Sequence, residues 1–248
     1  MKKFFENLIS LLFPPRCCFC GGIMGEGSKV FICKSCDSKI TYTYEKHCQI
    51  CCAPLKGGFS LNTCAFCNRR RPHYKKAFVP LIYEDLVRKS IIRYKFRGKI
   101  SYSKTFAFLI ADKIIGENFS EGFDIVTSIP QNPAQSFFRG FNPARLLAKE
   151  VALFFNAPYM DTLNRSFRSK KQSRLKYKER LENAKKSYSF KKSANIKGKI
   201  VLLVDDILTT GATLDTCAKI LLDNGAKEVY VAALARTGYS PIINTLKL

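Results

Sequence analysis

The sequence predicts an α/β protein with a mostly parallel sheet, preceded by a small cysteine-rich domain. Apolar runs typical of buried strands alternate with helical patterns between residues 77 and 235. Ten of the eleven cysteines fall between residues 17 and 67, ahead of that alternation. With 248 residues, the chain is long enough for one sizeable domain and one small one.

The cysteine-rich part contains an internal repeat of four Cys-x-x-Cys pairs, in which matching cysteines are 31 positions apart. Two such pairs supply the four thiolates of a closed tetrahedral zinc site, with no open position for substrate water. We therefore predict two structural zinc ions, each held by two neighbouring pairs. The predicted ligands are Cys17, Cys20, Cys33 and Cys36 for the first ion and Cys48, Cys51, Cys64 and Cys67 for the second.

Two further cysteines of this region, Cys18 and Cys52, stand directly beside predicted ligands. They are either core residues or alternative ligands one position out of register. Clustered Cys-x-x-Cys pairs favour metal binding in a reducing compartment over disulfides, so a cytoplasmic location is expected. The two histidines, His47 and His73, have no sequence partner that suggests a catalytic pair, and His47 is expected on the ribbon surface.

The pattern divides the chain into three parts. Residues 1–16 are expected to form an N-terminal helical segment, residues 17–70 a double zinc ribbon and residues 74–240 the sheet domain. Glu6 and Asn7 interrupt the apolar run of the first part, which argues against a signal peptide. That run is shorter than the roughly 18–20 residues that cross a bilayer, so no stable membrane span is expected.

Within the sheet domain, strands and helices are expected to alternate. The expected strands are residues 77–83, 124–130, 159–163, 200–204 and 228–235, and the expected helices are residues 84–96, 105–115, 143–155 and 214–224. Ligands of such sheets bind beyond the carboxyl ends of the strands. The strand ends at Pro130 and Asp205 are therefore expected to meet at one crevice.

The strand over residues 200–204 leads into a motif suited to a ribose phosphate. Two acids, Asp205 and Asp206, follow the strand, and the small residues Thr209, Thr210, Gly211, Ala212 and Thr213 lie before the next helix. A turn of small residues at a helix N-terminus binds phosphate through backbone N–H groups. The acids then suit the sugar hydroxyls or a magnesium ion, which prefers carboxylates and phosphate oxygens. The stretch resembles the 5-phosphoribosyl-1-pyrophosphate (PRPP) motif of type I phosphoribosyltransferases, so a sheet of that kind is expected.

The charge balance points to a polyanionic partner. The formal net charge is +23, and residues 165–199 hold fourteen basic residues against two acids. Tyr177 and Tyr188 are interleaved with these charges. Such a segment is either a mobile basic hood over the site or a track for single-stranded nucleic acid with stacking platforms, and nucleic acid is the leading partner. The alternative is a solvated, lysine-rich surface.

Taken in order, these features resemble the ComF family of competence-associated proteins over nearly the whole chain. The resemblance includes the Cys-x-x-Cys pairs and the motif from Val204 to Thr213. It also includes Leu12-Phe-Pro-Pro-Arg-Cys17, Tyr94-Lys-Phe-Arg-Gly98, Arg139-Gly-Phe-Asn142, and Gln172, Leu175, Arg180 and Asn183. This family joins a double zinc ribbon to a phosphoribosyltransferase-like domain. Membership implies a cytoplasmic protein of transformable bacteria that helps incoming single-stranded DNA reach recombination.

The resemblance also implies roles for residues of the site. Asp205 and Asp206, the candidate catalytic residues, would hold the ribose hydroxyls directly or through Mg²⁺, and residues 209–213 would hold the 5-phosphate of PRPP. The turn from Ser128 to Pro130 would face the pyrophosphate, with Arg139 or Lys95 neutralising its charge. Residues 131–138 carry fewer basic residues than the family usually has there, and Pro143 stands where Gln is common.

Two alternatives remain beside a DNA-binding protein with a PRPP site. One is a metabolic phosphoribosyltransferase that acts on a nitrogen nucleophile. Salvage of 6-oxopurines is excluded, because similar enzymes place an acid where this chain has Thr209, which cannot take the base's proton at neutral pH. The other is a non-catalytic scaffold or sensor whose zinc ribbons dock a partner such as a helicase.

Overall fold

The computed structural model describes residues 14–25, 30–43, 46–55, 62–132, 139–166 and 187–238. Most of the expected N-terminal helical segment and most of the basic segment over residues 165–199 lie outside these ranges. So do the resemblance residues Gln172, Leu175, Arg180 and Asn183.

Six helices and seven strands occur in the described ranges. The helices are α1 (Lys34–Asp37), α2 (Ala65–Arg69), α3 (Asp85–Phe96), α4 (Tyr102–Gly116), α5 (Pro143–Phe154) and α6 (Ala212–Asp223). The strands are β1 (Ala77–Phe78), β2 (Leu81–Ile82), β3 (Ile125–Ser128), β4 (Leu163–Arg165), β5 (Tyr188–Phe190), β6 (Ile200–Leu208) and β7 (Glu228–Arg236). The predicted alternation of strands and helices is confirmed.

The main sheet is parallel throughout, with the order β1-β7-β6-β3, and β2 also pairs with β7. β1 and β2 follow one another along the same side of β7 in one register, with Ala77 opposite Val231 and Leu81 opposite Ala235. The sequence predicts one strand here, but Pro80 lies between the two pieces and has no N–H to donate to the ladder. The predicted parallel α/β fold is confirmed.

β6 is longer than the apolar pattern predicts. Its pairing with β3 ends where Ser128 lies opposite Val204, but its pairing with β7 continues to Leu208. The apolar, nine-residue β7 offers backbone partners beyond the point at which the β6 side chains become acidic. Asp205 and Asp206 therefore lie within a strand that no longer pairs with β3 on one side, where the sequence predicts the crevice.

The predicted strand over residues 159–163 forms only in part. Tyr159 makes a single parallel bridge with Val126, and β4 begins at Leu163. β4 pairs with β5 in a separate two-stranded antiparallel sheet. The pattern gave no indication of β5, because it lies in a stretch dominated by basic residues.

The two faces of the sheet carry separate apolar cores. Alternate residues of β6 point to opposite sides, as the period of a strand requires. Leu202 and Val204 belong to the core shared with α3, α4 and α5. Val201 and Leu203 belong to the core shared with α6. The sheet is thus covered on both faces, which explains the continuous apolar run of β6.

The cysteine repeat is split between these two cores. The first unit contributes Cys17, Cys18, Phe19 and Cys36 to the core with α3, α4 and α5. The second unit contributes Cys48, Cys51, Cys64 and Cys67 to the core with α6. The equivalent short helices α1 and α2 both follow a cysteine at the N-cap, Cys33 and Cys64. The two halves of one sequence repeat therefore belong to different cores. In the described ranges, no helix is long and apolar enough to cross a membrane.

Candidate phosphoribosyl and zinc sites

The eight predicted cysteine ligands form two clusters of four, and within each cluster all sulfur atoms lie within 4.8 Å of one another. Sγ of Cys20 is 3.8 Å from Sγ of Cys33, and Sγ of Cys51 is 3.7 Å from Sγ of Cys64. A tetrahedral zinc ion with Zn–S bonds of about 2.3 Å requires sulfur separations of about 3.8 Å. The clusters therefore fit two structural zinc ions, as predicted.

Cys18 and Cys52 stand apart from these clusters and are core residues. Both are fully buried. The thiol of Cys52 donates to the carbonyl oxygen of Ala77 at 2.9 Å, and burial raises the pKa of Cys52 to about 11. Burial also raises the pKa of Cys18 well above its ordinary value. Two neutral, buried thiols agree with the first of the two alternatives left by the sequence.

The acid pair directly follows the end of the β3–β6 pairing. Asp206 is 8% exposed, and its Oδ1 is 2.7 Å from Nζ of Lys95. The carboxylate of Asp205 accepts a hydrogen bond of 2.8 Å from the backbone N–H of Asp206. Burial and the neighbouring charge of Asp206 raise the pKa of Asp205 to about 7, against the opposing effect of Lys95. Two carboxylates and one ammonium group thus share a small, partly dehydrated volume.

Lys95 is positioned by the first zinc ribbon as well as by its own helix. It lies in the last turn of α3, whose preceding residue Tyr94 is buried and donates its hydroxyl to the carbonyl oxygen of Pro143 at 2.8 Å. Earlier in α3, Ser90 donates to the carbonyl of Cys18, and Arg93 donates to the carbonyls of Cys18 and Phe19. The zinc-binding turn therefore fixes the helix that carries Lys95.

The loop after β6 has the geometry expected of a phosphate cradle. Gly211 is the N-cap of α6 and has φ of +77°, a left-handed conformation that favours glycine. Oγ1 of Thr210 accepts a hydrogen bond of 3.4 Å from the backbone N–H of Ala212, and Thr209 is exposed. Small residues, a left-handed glycine and the first turn of a 12-residue helix are the local features expected of an anion-binding loop.

Arg139 lies on the Lys95 side of the site. Its guanidinium carbon is 4.3 Å from the ring centroid of Phe96, the residue that follows Lys95. Burial lowers the pKa of Arg139, and the negative charge of Asp206 opposes that shift. The structure therefore brings Lys95 and Arg139, which are far apart in sequence, to the same acid pair.

Comparisons with known proteins agree with this architecture. The double zinc ribbon domain family matches residues 8–69, and the phosphoribosyl transferase domain family matches residues 139–241. Competence protein F of Haemophilus influenzae is 27% identical over 227 residues, which cover 89% of this chain and 96% of that protein. Competence protein ComFC of Bacillus subtilis is 29% identical over 209 residues, which cover 78% of this chain and 79% of that protein. The chain belongs to the ComF family. DNA utilization protein YhgH of Escherichia coli is 26% identical over 210 residues, covering 83% and 90% of the two chains.

The zinc sites and the candidate phosphoribosyl site of this ComF protein fall in different domain matches. All eight predicted zinc ligands fall in the ribbon match, and Arg139, the acid pair and the loop from Thr209 to Thr213 fall in the phosphoribosyl transferase match. Lys95 lies between the two matches, so only the tertiary structure connects it to the acid pair.

Sequence reasoning missed the contacts of both histidines in this ComF protein. His73 donates its backbone N–H to Oδ1 of Asp215 at 2.6 Å, and its Nδ1 lies 2.8 Å from the same oxygen. Asp215 lies in the first turn of α6, beside the cradle. His47, expected on the ribbon surface, is instead largely covered, and its Nε2 lies 3.3 Å from Glu117, the residue that follows α4. No spacing signal connects these partners, because each pair joins the second ribbon or its linker to the sheet domain.

The second ribbon also reaches the cradle itself. A small cavity lies between the two, lined by Phe66 and Arg70 from the ribbon, by Tyr74, and by Thr210, Gly211 and Asp215 from the cradle. A Cβ atom added at Gly211 would lie 3.5 Å from the hydroxyl oxygen of Tyr74. The ribbons of this ComF protein thus contact both ends of the candidate site, the first through α3 and the second through the cradle.

Proposed function

We propose that this protein binds a ribose 5-phosphate ligand, with PRPP and Mg²⁺ as the leading candidate, and that it also binds single-stranded DNA. The observation that carries the first half is the acid pair at the open side of β6, followed directly by a small-residue cradle at the N-terminus of α6. In the proposed complex, residues 209–213 hold the 5-phosphate. Asp205 and Asp206 hold the ribose hydroxyls, directly or through the metal ion.

The chemistry of the donor set supports this assignment. Carboxylate oxygens are the ligands that Mg²⁺ prefers, and backbone N–H groups at a helix N-terminus favour a phosphate. Lys95 and Arg139 add two cations on the side of Asp206, next to the strand end at Ser128. We assign these cations to the pyrophosphate of PRPP. Bound Mg²⁺ would supply charge neutralisation between the acids and the phosphate oxygens.

The DNA half of the proposal rests on charge and family. A net charge of +23 favours polyanions through counterion release, and the matched relatives are described as competence or DNA utilization proteins. Closed four-thiolate zinc sites suit a reducing compartment, so action in the cytoplasm is part of the proposal. Docking of a competence helicase on the ribbons is its remaining part.

Calorimetry with PRPP and Mg²⁺ tests the phosphoribosyl half. The wild-type protein should bind, and Asp205→Asn combined with Asp206→Asn should abolish binding while the protein still melts cooperatively and holds two zinc ions. Asp223→Asn is the matched control, because Asp223 is an exposed acid at the far end of α6. Silence of the wild-type protein at millimolar PRPP, or unchanged binding by the double variant, contradicts the assignment. Turnover of PRPP with a nitrogen nucleophile would show that the site is catalytically active.

Fluorescence anisotropy with a labelled oligonucleotide tests the DNA half. Affinity for a 15-nucleotide dT strand should fall steeply when salt rises from about 50 to 200 mM, because each neutralised phosphate releases counterions. A lack of binding at low salt, or an affinity that does not depend on salt, contradicts DNA binding and leaves the PRPP assignment untouched.

A further inference from the structure

Tyr94, Lys95 and Phe96 are the last three residues of α3. Of these, Tyr94 and Lys95 make contacts inside the protein. Tyr94 is buried, bonds Pro143 and packs against Phe141 at a centroid distance of 6.1 Å. Lys95 pairs with Asp206. Phe96 is 63% exposed, although large apolar side chains gain free energy by burial. Its exposed ring, one residue from Lys95, is therefore accessible to a ligand.

The ring of Phe96 contacts a cation. The guanidinium of Arg139 lies over its ring at 4.3 Å, within the range of a cation–π contact. Arg97 and Lys99, the next charged residues along the chain, are exposed, and Gly98 has φ of +62°. An aromatic face with basic side chains around it is the combination that holds single-stranded nucleic acid, because bases stack on the ring while phosphates meet the charges.

The other exposed aromatic residues named in the described ranges have different surroundings. Phe108 and Phe154 lie on the outer surfaces of α4 and α5, with ring centroids 6.2 Å apart. Phe108 lines a groove together with Asp37 and Asp112. Carboxylates there would repel a phosphate backbone, so this pair does not suit a nucleic acid.

We infer that Phe96, with Arg139 over its ring, is a base-stacking platform that holds one base of single-stranded DNA at the mouth of the phosphoribosyl site. The inference rests on the DNA half of the proposed function and adds to it the place where the strand is held. Stacking uses the π-face that every base has, so the platform accepts any sequence. The platform directly follows Lys95 in the chain, and Lys95 pairs with Asp206 of the acid pair.

The test compares a 15-nucleotide dT strand with a strand of the same length made of abasic sites, by anisotropy at one salt concentration. Both carry the same phosphates, so their difference reports stacking. Phe96→Leu should weaken dT binding at least about fivefold, the lower end of the effect of stacking one base, and should reduce the preference for dT over the abasic strand. Phe96→Trp should retain both.

Phe154→Leu is the matched control, because it removes an equally large exposed ring from the α5 surface. It should leave dT binding and the dT preference at wild-type values. Zinc content and melting temperature check that Phe96→Leu is folded. The salt dependence should not change in that variant, because the ring carries no charge.

Three results would overturn the inference. The first is equal dT affinity in wild type and Phe96→Leu, which refutes the platform while leaving DNA binding intact. The second is a smaller salt dependence in Phe96→Leu, which would show that the ring acts only by placing Arg139. The third is absence of dT binding by the wild-type protein, which refutes the DNA half of the proposed function together with the platform.

Discussion

Nζ of Lys95 lies 2.7 Å from Oδ1 of Asp206, across 111 positions of the chain. This ion pair joins the end of α3 to the open side of β6, and both side chains are less than one-fifth exposed. Carbonyl groups of the first ribbon accept hydrogen bonds from Arg93 of α3. The zinc-binding turn therefore helps to position Lys95 relative to the acid pair.

Removal of this cation should destabilise the ligand-free protein. Lys95→Met leaves the carboxylate of Asp206 in a poorly hydrated place without its partner, and we expect a loss of about 1–3 kcal/mol in the free energy of unfolding. Addition of Asp206→Asn should recover part of that loss, which a double-mutant cycle by urea unfolding measures. The control is Lys219→Met, whose pair with Asp223 is exposed and should contribute less than about 0.5 kcal/mol. Similar losses in the two single variants would contradict the claim.

A side chain at position 211 should lower the stability of the protein and weaken PRPP binding. Gly211→Ala places a Cβ on a backbone with φ of +77°, which is strained for residues other than glycine, so we expect a loss of at least about 1 kcal/mol in stability and weaker PRPP binding. Gly116→Ala is the control, because that glycine lies at the end of α4 with open space around its Cβ position. Unfolding and calorimetry of both variants check this, and a neutral Gly211→Ala would show that the cradle adopts another conformation.

The stability of the ligand-free protein should fall between pH 6 and pH 8 because of Asp205. Its pKa is raised from 3.8 to about 7 in the folded state, chiefly by burial. In this pH range the folded protein releases a proton that the unfolded chain has already lost, so stability falls as pH rises, by about 1 kcal/mol. Urea unfolding of the zinc-loaded protein without magnesium measures this change. Asp205→Asn should remove that part of the pH dependence, and an identical dependence in both proteins would refute the assignment.

The two zinc ions should leave at different rates. All four cysteines of the second site are buried, whereas Cys20 of the first site is exposed and Cys33 is partly exposed. Release to a chelating dye should therefore have a fast and a slow phase of one equivalent each. Cys20→Ser should abolish the fast phase, and Cys51→Ser should abolish the slow one. A single phase in the wild-type protein would contradict the difference in access.

Much of this architecture follows from local pattern. The four Cys-x-x-Cys pairs predicted the zinc ligands, because two knuckles at that spacing can close one tetrahedron. The apolar run before Asp205 and the glycine in the cradle predicted a strand, a turn and a helix in that order. Local patterns did not predict the extra length of β6, because the acids interrupt the apolar run and the pairing of the added residues with β7 is a long-range contact.

The zinc ligands, the parallel α/β fold and the composition of the candidate cradle were predictable from the residue pattern, since each depends on residues that are close together in the chain. Tertiary packing placed the two ribbon units in different cores. It also decided that Lys95 meets Asp206, that His73 meets Asp215 and that Phe96 stays exposed under Arg139. These contacts join residues from distant segments, and packing of those segments on the sheet sets their distances. The spacing of residues along the chain does not predict how those segments pack.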